Sequence, residues 1–324
     1  MKQEKRFDIS RWLIFIILIA ELLTFALLES RFMSISNIFS MLRQVSMIGI
    51  SAVGMAMVLM IGQIDISVGP IVALTTVILA KLTVDGGVHT PVAMLIAVAV
   101  CTCCGLINGF AVTRFNVPSM IASLALMSIL KGLAYLITGG IPIYNIPQTL
   151  TFIGQGYLFG ILPVPVLMML IVFGLGYVVV EKTKFGRHIL ATGGNSEAAR
   201  LSGIRTKRVT MIVFCISSFL TSIAGIIMCG RVNSGQPSVA SGFEMDVIPA
   251  VVLGGVSLAG GEGYITNVLA GVLIMGALAN GMSVLGLGDY WQWVVKGIVL
   301  LIAVSYDNIV KGTAVGFKRH KKEG

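Results

Sequence analysis

Two acidic residues fall within or at the edge of apolar stretches of this chain, and they set what chemistry those stretches can do. Asp65 stands in Gly62-Gln63-Ile64-Asp65-Ile66-Ser67-Val68-Gly69-Pro70, and Glu21 in an apolar run near the start. A charged side chain at the centre of a membrane helix costs on the order of 2.5 to 3.5 kcal/mol, so each needs a partner or a polar cavity. For Asp65 two roles stand side by side. It either shapes a polar path, with Ser67, Gly69, Asn108 and Lys131 as the other members, or caps the broken helix that follows. Glu21 sits alone in its run, where snorkelling or interhelical packing is the expected role. Lys131 and Lys296 are buried-charge candidates within later apolar runs. Both could line a route for a hydroxyl-rich solute or pair with acidic neighbours, and pairing is the expectation. His89, His188 and His320 lie in loops or at ends and form no constellation for an intramembrane enzyme. Cys101, Cys103, Cys104, Cys215 and Cys229 lack the spacing of a zinc site or a redox pair and read as small packing residues. No cofactor or metal is expected.

The elements that must position these residues are membrane helices. Of 324 residues, 56% are hydrophobic and 11% charged, and the mean hydropathy is +0.95, which no soluble globule of this size accommodates. Apolar runs near the roughly 20 residues that cross a bilayer recur along the whole length, and helices in lipid satisfy their own backbone hydrogen bonds. The expectation is an all-α integral membrane protein, a single transmembrane domain over 1–324. Ten spans are predicted: 12–29, 46–62, 70–84, 91–112, 119–138, 161–180, 209–229, 246–259, 265–285 and 291–306.

An even number of spans puts both termini on one face. The polar break 182–208 then shares the cytoplasmic side with Lys2, Lys5, Arg6 and Arg11, the short loop at Arg114, and a tail carrying Lys311, Lys318, Arg319, Lys321 and Lys322. Retention of basic residues inside accounts for the net charge of +9, so nucleic acid is not an expected partner. The other face receives Gly139 to Gly160 and the loop from Arg231 to Asp246. There Pro142, Pro147, Pro163 and Pro165 predict a short irregular outer cap able to seat an external partner. Gly62 to Pro70 and Gly254 to Gly263 both read as glycine-broken, discontinuous helices, tolerated only where backbone is buried in protein or lines a wet cavity. Tyr290, Trp291 and Trp293 read as an interfacial aromatic belt.

Within the break, Glu197-Ala198-Ala199 with Gly203 beyond it places a carboxylate and small residues on one helical turn, with Phe185 as an apolar anchor and Arg187 as a charge. A docking helix for a soluble partner and an ordinary amphipathic helix at the headgroups fit these residues equally. The Glu-Ala-Ala-x-x-x-Gly core resembles the coupling-loop motif of permease subunits in ABC importers. The likeness extends along nearly the whole chain. Ile64-Asp65-Ile66-Ser67-Val68-Gly69, Gly105-Leu106-Ile107-Asn108-Gly109, Asn116-Val117-Pro118, Phe185-Gly186-Arg187, Gly193-Gly194-Asn195, Val252-Leu253-Gly254-Gly255 and Trp291-Gln292 to Lys296-Gly297 resemble, in order, signature stretches of the ribose/xylose/galactose-type branch. Glu262 departs from it, standing where a basic residue is expected in the Gly-Gly-x-Gly turn.

The resemblance implies a permease of the bacterial inner membrane, paired with a second permease chain, alike or different. It also implies ATP-binding subunits below and an extracytoplasmic sugar-binding protein above. Phe185, Gly186, Arg187, Glu197, Ala198, Ala199 and Gly203 would couple it to the ATPase. The sequence agrees on one point: it has no Gly-x-x-x-x-Gly-Lys-Ser/Thr loop to cradle phosphates, so ATP hydrolysis must be done elsewhere. The expected function is passage of a ribose-like monosaccharide by a non-catalytic subunit. The alternative, an ion-coupled secondary transporter, would rely on mid-membrane carboxylates, and only Asp65 and Glu21 offer themselves.

Overall fold

The computed structural model describes residues 9–320. Lys2, Lys5, Arg6, Lys321 and Lys322, on which part of the charge asymmetry rests, lie outside the described residues. In chain order the α-helices are α1 Ile9–Leu28, α2 Ile35–Met60, α3 Val68–Ala80, α4 Thr90–Phe115, α5 Ser119–Thr138, α6 Gln148–Gln155, α7 Val164–Tyr177, α8 Lys184–Gly194, α9 Ser196–Leu201, α10 Thr206–Val232, α11 Glu244–Leu253, α12 Ile265–Val284 and α13 Asp289–His320. Among the described residues seven helical segments are long and apolar enough to cross a membrane, and Ile14–Leu28 is a shorter apolar one. The chain is an all-α polytopic membrane protein.

Helix α2 is buried continuously from Val45 to Met60, the pattern of a helix apolar on every side and packed at the centre of a bundle. Helix α10 lies against α2, α3, α4 and α6. Lipid supplies no hydrophobic drive for helices to associate, so close backbone approach through small residues has to do it. Three glycines provide the approach. A Cβ on Gly54 of α2 would sit 2.7 Å from Ser217 Cα, one on Gly105 of α4 would strike Ser218 Oγ, and one on Gly225 of α10 would sit 2.6 Å from Thr75 Cβ of α3. These contacts hold α2, α3 and α4, which flank Asp65 and carry Asn108, in a fixed relation to α10.

Two predicted spans differ from the structure in instructive ways. Helix α2 begins at Ile35, well before the predicted 46, because Arg43 and Gln44 lower the local hydropathy without breaking the helix. The span predicted over 246–259 is the ten-residue α11 followed by irregular chain. At 1.5 Å per residue it is about 15 Å long, half a membrane crossing. The segment expected to form an irregular outer cap is more ordered than its prolines suggest. It holds α6 and two small antiparallel pairs: β1 Ile143–Tyr144 with β4 Ser234–Gly235, and β2 Tyr157–Leu158 with β3 Leu162–Pro163.

Candidate functional site

The polar break folds into two short helices at the end of α7, and local rules explain each boundary. The Thr183 hydroxyl accepts from the Gly186 N–H at 3.3 Å, starting α8. The Asn195 side chain accepts from the N–H groups of Glu197 and Ala198 at 3.1 and 2.9 Å, starting α9. At the other end, Ile204 N–H donates to Ala199 O and Gly203 N–H to Arg200 O, both 3.0 Å, while Gly203 holds φ +86°. That is a Schellman ending, which asks for glycine at this position.

The predicted coupling residues divide into two sets. Gly186 and Ala199 are buried, and Phe185 is half-buried against the main core. A Cβ on Gly186 would overlap the Val180 carbonyl, so glycine there lets α8 fold back under α7. Arg187, Glu197, Ala198 and Gly203 are exposed. Glu197 accepts from Arg200 Nε at 3.1 Å and from the Arg200 guanidinium at 2.5 Å. The hydrogen bond and the charge of Arg200 hold the Glu197 carboxyl below its ordinary value and raise Arg200 above its own. Beside them Leu201 is 77% exposed, an apolar side chain at the tip of a polar element. Sequence reasoning passed over it; the signal was a leucine in the last turn of a helix otherwise made of small and charged residues.

The break is seated on both discontinuous helices at once. Gly261 N–H donates to Met60 O at 2.8 Å, joining the loop after α11 to the end of α2. A Cβ on Gly193 would run into that same Met60 carbonyl and lie 2.6 Å from Gly261 N. One on Gly260 would lie 2.7 Å from Gly62 N and 3.0 Å from Gly193 O, and one on Gly261 would lie 2.7 Å from Gly194 Cα. Gly62, Gly260 and Gly261 all have positive φ, at +72°, +84° and +82°. The ends of α2, α8 and the α11 loop therefore meet backbone to backbone, with no side chain between them to absorb relative movement. Glu262, the departure noted above, is exposed next to this junction.

Asp65, Ser67 and Asn108 form one cluster. Asp65 is fully buried, and its Oδ1 accepts from Ser67 N–H at 3.0 Å, Ser67 Oγ at 2.5 Å and Asn108 Nδ2 at 3.3 Å. The contact two residues ahead is an Asx turn that leads the chain to Ser67, the residue before α3, while Asn108 ties that turn to α4. Asp65 Oδ2 and Asn108 Oδ1 accept from no group among the described residues. Gly69 and Lys131 are not in the cluster. They line a separate small cavity with Tyr135, Ser238, Ser241 and Glu244. Glu244 is 6% exposed, and the sequence reading missed it by assigning it to an outer loop. Lys296 of α13 pairs with Asp246 in the first turn of α11, the structural pairing expected of it. Glu21 has its Oε2 buried without a hydrogen-bond partner among the described residues.

Comparison with known proteins places this geometry in context. Residues 37–304 match the family described as branched-chain amino acid transport system / permease component. The ribose import permease protein of Bacillus subtilis (strain 168) is 40% identical over 284 residues, covering 87% of this chain and 88% of that protein. The L-arabinose transport system permease protein of Escherichia coli (strain K12) is 40% identical over 273 residues, covering 81% and 80%. The xylose transport system permease protein of Haemophilus influenzae is 33% identical over 339 residues, covering 86% and 90%. No solved structure matches the chain.

Proposed function

Because the chain belongs to the branched-chain amino acid transport system / permease component family, we propose that it is the transmembrane permease of an ATP-driven, binding-protein-dependent importer of a monosaccharide. The observation that carries this is the similarity, over most of each chain, to permeases named for ribose, arabinose and xylose. Ribose is the first sugar to test. The chain itself is not an enzyme; ATP is hydrolysed by partner subunits, and a binding protein delivers the sugar from outside. In this reading the protein sits in the bacterial cytoplasmic membrane with both termini inside, crosses it about ten times, and pairs with a second permease chain.

Helices α8 and α9 are the coupling element. Their exposed residues, Arg187, Glu197, Ala198 and Leu201, meet the ATP-binding subunit. Phe185, Gly186, Ala199 and Gly203 hold the element in shape. Closure of the ATP-binding subunits on nucleotide would push α8, and the glycine junction would pass the displacement to Gly62 and Gly260–Gly261. The two discontinuous helices would move together, tipping the path past Asp65, Ser67, Gly69, Asn108 and Lys131 between inward-open and outward-open states.

Purification of the tagged chain in mild detergent with its ATP-binding subunit tests the coupling. Leu201→Asp and Glu197→Lys should abolish co-purification while leaving insertion and yield of the permease as they were. An ATP-binding subunit recovered in parental amounts with the double variant would refute the assignment of α9.

A further inference from the structure

We propose that the cavity between α3, α5 and the start of α11 is a binding site for the solute in transit, with Glu244 and Lys131 as its charged members. The ligand class is a neutral polyhydroxylated molecule of monosaccharide size. The inference rests on the importer reading and adds to it a place where the sugar is held within the membrane.

Three observations carry it. Glu244 is 6% exposed, and its Oε2 has no hydrogen-bond partner among the described residues, although the side chain lines the cavity. Its neighbour Asp246, two residues on, is paired with Lys296, whereas no salt bridge within 4 Å reaches Glu244 among the described residues. A buried carboxylate oxygen left without a partner is costly and calls for something that fills the gap.

Second, the fold makes room for that oxygen. A Cβ at position 69 would stand 2.7 Å from Glu244 Oε2 and 2.8 Å from Ala240 O, so only glycine on α3 lets the carboxylate reach this point. The chain from Gln236 to Phe243 descends along α3 to bring it there. Gln236 N–H donates to Thr76 Oγ1 at 3.3 Å, and Ala240 O lies over Gly69, seven residues back along α3 or roughly 10 Å deeper. Helix α11 therefore begins inside the membrane, as the half-helices of transporters do at their solute sites.

Third, the groups around the cavity match hydroxyls. Lys131 lies seven residues from the end of α5 at Thr138, roughly 10 Å in from that end, a depth at which an ammonium needs a polar reason to be. It donates, the Glu244 carboxylate accepts, and the hydroxyls of Tyr135, Ser238 and Ser241 do either. A donor on one wall and a carboxyl acceptor on the other match the hydroxyls of a neutral solute, each of which donates and accepts. The cavity measures about 80 Å³, room for several waters but not for a whole sugar, so a sugar would enter only as the 237–242 wall moves aside.

The test uses the complete complex, permease with its ATP-binding subunit and binding protein, in proteoliposomes. D-ribose, D-xylose and L-arabinose are the probes, and sugar moved per ATP hydrolysed is the readout. Glu244→Leu should lower that ratio at least about tenfold, and Glu244→Gln, which still hydrogen-bonds hydroxyls, should fall by less than about threefold. Lys131→Met, which removes the donor while keeping a side chain of similar length, should fall in the same direction as Glu244→Leu and covers the case in which that variant does not assemble. A parental ratio in both Lys131→Met and Glu244→Leu, or equal losses in Glu244→Gln and Glu244→Leu, would overturn the site alone. A wild-type complex that moves none of the three sugars on ATP would overturn the importer reading and the site together.

Discussion

Replacing Gly193 with alanine tests the glycine junction against an internal control one residue away. Both Gly193 and Gly194 lie in the last turn of α8, and Gly→Ala inside a helix ordinarily helps by up to about 1 kcal/mol. At Gly194 the new methyl would find its nearest heavy atom 3.9 Å away, ordinary contact, so Gly194→Ala should be neutral or slightly stabilising. At Gly193 the methyl would enter the Met60 carbonyl and lie 2.6 Å from Gly261 N, where the 2.8 Å hydrogen bond between those two groups runs. Overpacking costs about 1–3 kcal/mol and a disrupted backbone hydrogen bond about 1 kcal/mol, so Gly193→Ala should destabilise by about 2–4 kcal/mol. The cost falls where α8 meets α2 and the α11 loop. Sugar moved per ATP should therefore drop in Gly193→Ala more than the lost stability alone accounts for. Thermal unfolding of the purified complex, followed by intrinsic fluorescence, gives the first quantity, and proteoliposome uptake gives the second. If the two alanine variants unfolded at the same temperature and transported alike, the junction would carry neither packing nor motion.

Three further outcomes are expected. Gly203→Val forces a branched residue into φ +86° and should cost about 1–2 kcal/mol; since nothing lies within 4 Å of the new Cβ, the damage should be confined to α9 and read as faster amide exchange over 196–204. Glu197 titrates below its ordinary value because of Arg200, so its contribution is present above the unfolded carboxylate value near 4.5 and lost as pH falls through the lower folded one. Exchange protection of α9 should accordingly weaken as pH falls below 4.5, and Glu197→Gln should remove that acid dependence. Asp65→Ala strands the buried Ser67 N–H and should destabilise by about 1–3 kcal/mol, whereas Asp65→Asn keeps an acceptor at Oδ1 and should cost less, as thermal unfolding would reveal.

What could be read from the sequence was governed by local rules. Hydropathy sufficed for an all-helical membrane protein, and Glu197-Ala198-Ala199 with Gly203 marked a short helix in the polar break, while its capping by Asn195 and its glycine ending emerged with the fold. Hydropathy failed where length and composition part company. Glu244-Met245-Asp246 reads as the end of a loop, yet it opens a half-length helix held inside the bundle by Lys296. For the same reason Glu244 escaped the search for buried acids. The meeting of Gly62, Gly193 and Gly260 left no local trace at all, because each glycine is explained by its own turn and only long-range packing brings the three together. Asp65 lay between these cases: its place beside a glycine-broken helix left a polar path and a cap equally open, the turn to Ser67 is local, and the contact from Asn108, 43 residues further on, needed the fold.

ATP-driven uptake of radiolabelled D-ribose into proteoliposomes, with the permease, its ATP-binding subunit and the binding protein all present and an ionophore added, puts the whole mechanism to trial. Uptake should require ATP and the binding protein, persist with the ionophore, and disappear with Glu197→Lys and Leu201→Asp combined. Uptake by the permease alone that an ion gradient drives and the ionophore abolishes would mean that the chain takes its energy from ions rather than from α9.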